Sequence, residues 1–300
     1  MFWLTIRQHR MQLVVTAALL AAFGLVLLVH GIGTRSAAAG LTGEDLTQVL
    51  GERHQMLALV IGVLPVVPVL VGLFWGAPVL AREIERGTHV MVWTQSVPRR
   101  RWLLTKLAGL GLLVTLAGLA LGAMVSAWTA TFEGTRFGYR FGDTAVFAST
   151  GVAAGAWWLF AFMLGVAGGA VLRRMLPAMA VSIAVFLLVL LGVFLYRGDY
   201  AAPERVVSPA DLASESGDIL PAGGAWLDPA GKEVADVEEG LCPERATFYK
   251  CVADNGYQSV SYLHPADRYW RFQWTEAGIL LVATVLLAGV AYQRVARRSV

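Results

Sequence analysis

Charge is what this 300-residue sequence has least of: Asp, Glu, Lys and Arg make up 15% of it, against 57% hydrophobic residues. A soluble domain of this length needs more charge than that to cover its surface, so a soluble globular protein is excluded. The deficit is also organised. Long apolar runs alternate with short charged segments, and the mean hydropathy is +0.61. A bilayer is the solvent that suits such a chain. The net charge of +3 does not make a nucleic-acid partner, because Lys and Arg cluster beside the apolar runs, where they act as orientation signals.

Catalytic signatures are missing as well. There is no G-x-x-x-x-G-K-[ST] phosphate loop; Gly231-Lys232 is followed by Glu233, and the glycine at the required offset is absent. The chain is therefore not expected to bind ATP itself, and no cofactor is expected in it. There is no H-E-x-x-H, and His9, His30, His54, His89 and His264 are dispersed, so no metal site is expected. No G-x-S-x-G elbow marks a serine hydrolase. The six apolar runs are read as free of Asp, Glu, Lys and Arg, with His30 only at an end. Ion-coupled transporters place such residues inside the bilayer to form the ion path. Transport by this chain would draw its energy from a separate motor.

What is present is a set of six runs: Met11 to Ile32, Gln55 to Leu80, Leu107 to Trp128, Ala145 to Leu172, Pro177 to Tyr196 and Thr275 to Tyr292. Lipid cannot satisfy backbone polar groups, so runs of this length predict helices. The first resembles a signal peptide, with Arg7 and Arg10 before it and Ala37-Ala38-Ala39 after it. At about 33 Å it is long enough to cross the hydrocarbon core, and an uncleaved helix is the better reading. Pro65, Pro68 and Pro78 are expected to kink the second run. The fourth is long for one crossing, so tilt or extension beyond the bilayer is expected.

Orientation follows from Lys and Arg in the short connections. With the N-terminus inside, Arg7, Arg10, Arg82, Arg86, Arg99, Arg100, Arg101, Lys106, Arg173, Arg174, Arg294, Arg297 and Arg298 are cytoplasmic. Only Arg35, Arg53, Arg136 and Arg140 fall in the two short outer loops. The expected fold is an all-α integral membrane protein with six transmembrane helices, both termini cytoplasmic, and one larger external loop domain. Its parts are 1–196 (helices 1–5 with a cytoplasmic loop at 81–106), 197–274 (the external domain), and 275–300 (helix 6 and a basic tail). The expected location is a bacterial cytoplasmic membrane.

The external segment is acidic, with scattered Pro and Gly, and holds the only two cysteines, Cys242 and Cys251. An oxidising compartment and a gap of eight residues favour a disulfide; two free thiols are the alternative. Tyr269, Trp270, Phe272 and Trp274 fit an outer-leaflet aromatic belt, with gating of a substrate as the other reading.

The loop between the second and third runs is the most informative stretch. Arg82 and Glu83 carry the second helix past the membrane, Gly87 offers a stop, and Thr88 can cap a short helix from His89 to about Gln95. That helix would expose Val90, Met91, Val92 and Trp93 before Pro98 ends it. Such a surface either lies in the lipid interface or docks a soluble partner.

At these residues the sequence resembles a family. Glu83-x-x-x-Gly87-Thr88, a short apolar helix, Ser96-x-Pro98-Arg99 and a Lys at the next helix are similar to the permeases of bacterial type-2 ABC exporters. An amphipathic start, six spans and a large outer loop between helices five and six agree. The resemblance implies a permease subunit of an ATP-driven exporter, without its own ATPase site. It would assemble with a second permease copy or homologue and with a separate ABC ATPase that binds ATP and Mg. Coupling would fall to Glu83, Arg86, Gly87, Thr88, Met91, Trp93, Gln95 and Arg99. Helices two and five would wall a cavity for amphipathic small-molecule, lipid or peptide cargo, with Phe74, Trp75, Phe186 and Phe194 as contacts. Gly118-x-x-x-Gly122, Gly151-x-x-x-Gly155 and Gly165-x-x-x-Gly169 would permit close helix packing. The alternative is a non-transporting sensor or immunity protein whose external domain binds a ligand.

Overall fold

The computed structural model describes residues 7, 9–85, 99–209, 217–238, 241–242 and 248–296. It is mainly helical, and six helices are long and apolar enough to cross a membrane: Arg10–Ala38, Gly43–Val66, Leu103–Phe132, Gly151–Leu172, Met175–Tyr200 and Ala266–Val295. The helices used below are α1 (Arg10–Ala38), α2 (Gly43–Val63), α3 (Ala77–Glu85), α4 (Arg99–Thr129), α5 (Thr144–Ala148), α6 (Gly151–Leu172), α7 (Met175–Tyr196), α8 (Phe248–Asp254) and α9 (Tyr269–Ala296).

The second run is where proline chemistry shows. From Val63 the chain passes through a 3₁₀ turn at Leu64–Val66, one α turn at Pro68–Val71 and a π turn at Gly72–Gly76 before α3 begins. Proline offers no N–H to the carbonyl four residues back. Pro65 and Pro68 leave the carbonyls of Ile61 and Leu64, which accept instead from the tighter 3₁₀ donors Leu64 and Val67. Pro78 orphans the carbonyl of Phe74 in the same way. There the donor comes from another helix: Gln12 Nε2 of α1 reaches the Phe74 carbonyl at 2.8 Å.

The fourth run is two helices rather than one long crossing. Asp143 caps α5 by accepting from the N–H groups of Ala145 and Val146. The chain then breaks at Ser149–Thr150, and α6 starts from Gly151 with φ +59°, a left-handed conformation that favours glycine. At its far end Arg173 adopts φ 58° and closes α6 by donating to the Gly169 carbonyl. Only Arg173 and Arg174 separate α6 from α7.

Burial sorts the helices into hub and rim. In the apolar window of α6, 78% of residues are buried, against 6% in α1. Because lipid tails are as apolar as leucine, helices in a bilayer associate through close packing of small residues, and α6 is rich in Gly and Ala. Gly165 and Gly169 lie against the backbone of Gly72, Ala77 and Ala81, leaving no room for a Cβ. On the other side Gly118 meets Ala154 and Trp158, Gly122 meets Ala154, and Gly155 meets Leu119. All three small-residue motifs therefore lie at helix contacts.

Between α7 and α9 stands a four-stranded antiparallel sheet of order β1-β4-β2-β3: β1 (Glu204–Pro209), β2 (Leu220–Leu227), β3 (Glu233–Val234) and β4 (Gln258–His264). Cys242 and Cys251 form a disulfide that ties α8 to the segment before it. At the tip, the Tyr262 hydroxyl and the Arg205 guanidinium donate to Glu233. These bonds hold its carboxyl below the usual range and, reciprocally, push the Tyr262 phenol up.

Candidate functional site: the α6 hub and its polar ends

The outer end of α6 is bound by one face of α9. Tyr269, Gln273 and Glu276 recur every three or four residues, so all three project the same way. The Tyr269 hydroxyl and the Thr150 hydroxyl lie 2.9 Å apart. Gln273 bridges the break before α6: its oxygen accepts from the Ala153 N–H and its nitrogen donates to the Phe147 carbonyl, each at 2.9 Å. A side chain on Gly151 would overlap that amide. Glu276 accepts from the Trp157 indole N–H at 2.8 Å and from Arg197 Nε at 3.0 Å.

Arg197 and Glu276 form a fully buried ion pair, with side chains 2% and 0% exposed. The guanidinium also reaches the Thr144 carbonyl and lies over the rings of Phe147 and Phe194. This pair corrects the reading of the last run as charge-free. Glu276 is the second residue of that run, but α9 begins at Tyr269, so the acid lies two turns inside the helix. The sequence signal was an acid among apolar residues, which is costly in a membrane unless it is partnered.

The early start of α9 also divides the aromatic cluster. Trp270 and Trp274 are exposed, as belt residues should be, whereas Tyr269 and Phe272 are buried against Phe141 and Phe147. Just above, the sheet is fastened at its base. His264 Nε2 pairs with the Gly198 carbonyl, and Arg268 bonds to the Ala202 carbonyl and to Glu204. The Asp218 carboxylate accepts from three successive N–H groups of the loop before α5, those of Arg140, Phe141 and Gly142, at 2.8–3.0 Å. Such a row of backbone donors is an anion-binding nest.

The inner end of α6 is bound by α3. Beyond the Gly169 contact, Glu85 Oε1 accepts the N–H of Met175, the first residue of α7, at 2.9 Å. A carboxylate there satisfies an orphan donor and complements the positive end of the helix. The stretch that leads into the loop is thus fixed to both α6 and α7. Of the coupling residues expected from the sequence, Arg86, Gly87, Thr88, Met91, Trp93 and Gln95 lie outside the described residues, as does the short helix proposed there. Glu83 lies on α3 and Arg99 opens α4.

The four expected cavity contacts occupy different surroundings. Phe74 is 59% exposed on the outer surface of the bundle, whereas its neighbour Trp75 is 7% exposed and faces a cavity among α1, α4 and α6. Phe186 is fully buried between Trp157 and Phe160, and Phe194 packs beside the Arg197 guanidinium. The structure does not bring them together around one space. Among the described residues no group of three or more His, Cys, Asp and Glu could hold a metal.

Six apolar helices, one of them a glycine-rich hub, with an outer domain carried between the last two, define a multi-pass membrane protein. The family model for "ABC-2 membrane transporter related" proteins matches residues 10–197. The chain belongs to that family and is a permease-type subunit of an ABC transporter, a class that works with an ABC ATPase subunit. No curated protein and no solved structure matches it.

Proposed function

We propose that this chain is the membrane half of an ATP-driven exporter, and that the loop after α3 receives the stroke of the ATPase. ATP and Mg are bound by the ATPase alone, and two permeases pair across a two-fold axis. Closing of the ATPases moves the loop, and the helices respond as rigid bodies that switch access from the inner to the outer side. Coupling runs through Glu83, Arg86, Gly87, Thr88, Met91, Trp93, Gln95 and Arg99, and the cargo is amphipathic. The observation that carries this reading is the Glu85–Met175 bond together with the Gly169 contact. They join the segment entering the loop to α6 and α7, so a push on it is delivered to the hub rather than lost in a flexible link.

The test is reconstitution with the partner ATPase. Trp93→Ala should weaken assembly by about 2 kcal/mol, as truncation of a buried aromatic anchor does. Glu85→Ala should leave assembly and ATP hydrolysis intact while transport falls several-fold, because the loop still docks but no longer drives α7. Full assembly and full transport in Trp93→Ala would mean that the loop lies on the lipid, and would remove the mechanical basis of the proposal.

A further inference from the structure

A cavity of about 160 Å³ lies among α1, α4, α6 and the π turn of the second span; Trp75 of the expected cargo contacts lines it, whereas Phe74, Phe186 and Phe194 do not. The inner half of α1, from Leu13 to Leu20, forms one side, and Trp75, Ala117 and Trp158 close the others. No charged residue lines it. Apart from Thr16 and the two tryptophans its lining is aliphatic, and a space so poor in polar groups favours apolar molecules over water, which needs two to four partners.

Its shape follows from how α1 is attached. The outer half of α1 buries Leu27, Gly31 and Thr34, while between Arg10 and Gly24 it has no fully buried residue. The helix is held at its outer end and again at its base, through the Gln12 bond to the Phe74 carbonyl. Between those points a gap remains beneath it. A second helix, about 10 Å across, does not fit such a space, and hydrated cargo would find few partners in a lining whose polar side chains are Thr16 and two tryptophans. An extended hydrocarbon chain meets both conditions. Arg10, exposed and one turn before Leu13, stands where the headgroup of such a molecule would lie.

We infer that this cavity is a binding site for one acyl chain of an anionic phospholipid from the leaflet on the basic side, its phosphate beside Arg10. The lipid acts as a wedge that fills the gap under α1. The inference is independent of the coupling mechanism, since it concerns α1 rather than the loop.

The experiment uses the full chain in vesicles containing phosphatidylglycerol with a photoactivatable group on one acyl chain, and maps adducts by peptide mass spectrometry. Adducts should concentrate on Leu13–Leu20, Trp75 and Leu113–Ala117. Filling the space with Ala17→Trp should lower them about tenfold, while adducts on the exposed face of α7 at Leu187–Leu195 stay constant as a control. Ala117→Leu provides the same test from α4 should the first variant not fold. Phosphatidylcholine with the same label should react less at this site. Uniform labelling along α1, no loss in a folded variant, or equal labelling by the two lipids would overturn the proposal. So would displacement of the adducts by a transported amphiphile, which would assign the cavity to cargo.

Discussion

The buried Arg197–Glu276 pair allows a stability change to be worked from geometry. Glu276→Gln keeps the shape of the side chain and an oxygen for the Trp157 indole, so that 2.8 Å bond survives. What disappears is the negative charge. The Arg197 guanidinium, 2% exposed, is left with neutral partners: the Thr144 carbonyl at 3.4 Å, the retained Oε1 at 3.5 Å, and the Phe147 and Phe194 rings at 4.2 and 5.1 Å. All of these contacts exist in the parent too, so they offset nothing. Breaking one partner of a buried pair costs about 3–5 kcal/mol, mostly the penalty of an uncompensated charge. If that is the mechanism, removing the second charge must recover most of the loss. Arg197→Met with Glu276→Gln should lie within about 2 kcal/mol of the parent, since a buried ion pair as a whole contributes little net stability. Equilibrium unfolding of the four proteins of the cycle in bicelles gives the coupling energy directly. A Glu276→Gln protein within about 0.5 kcal/mol of the parent would refute the argument, as would a double variant no better than the single one.

Gly165→Val should prevent stable folding, because the new side chain would overlap the backbone of Gly72 and Ala77. Gly289→Ala, with open space around it, should be neutral when both variants are compared by thermal stability in detergent. Replacing Cys242 and Cys251 by Ser should cost the outer domain about 2–3 kcal/mol in the chain-entropy model, read as a shift in proteolytic resistance of residues 204–264. In a variant without those cysteines, Ala235→Cys should react with impermeant reagents in intact cells and Val97→Cys should not. The reverse pattern would invert the charge-based orientation.

The six spans were legible because charge is so costly in lipid that its absence marks a helix without further information. Their ends were not, because termini depend on tertiary partners. The last helix begins at Tyr269 rather than Thr275 because Tyr269 and Phe272 have a buried aromatic pocket to fill. The break before α6 depends on Gln273, more than a hundred residues away, and local sequence cannot announce it. The small-residue motifs were legible as candidates, but only their neighbours reveal what each lies against. Phe74 and Trp75 illustrate the limit of choosing aromatics by position. Successive residues on a helix point about 100° apart, so one faces outward and the other faces the cavity. Glu276 could have been found. Its spacing from Tyr269 and Gln273 already placed three polar side chains on one face of an apolar helix.

Gln12 and Pro78 never touch in the chemistry that links them, yet each makes sense only because of the other. The proline withholds a donor from the Phe74 carbonyl, and the glutamine supplies one across the gap between two helices. The requirement is conditional. In a Pro78→Ala variant the helix can provide its own N–H, and Gln12 becomes dispensable. With Pro78 in place, Gln12→Leu strands a carbonyl in hydrocarbon, at a cost of about 1–3 kcal/mol. The two positions are therefore epistatic: Pro78→Ala should suppress the defect of Gln12→Leu. A family tree of such chains should gain the glutamine before the proline and lose them in the opposite order.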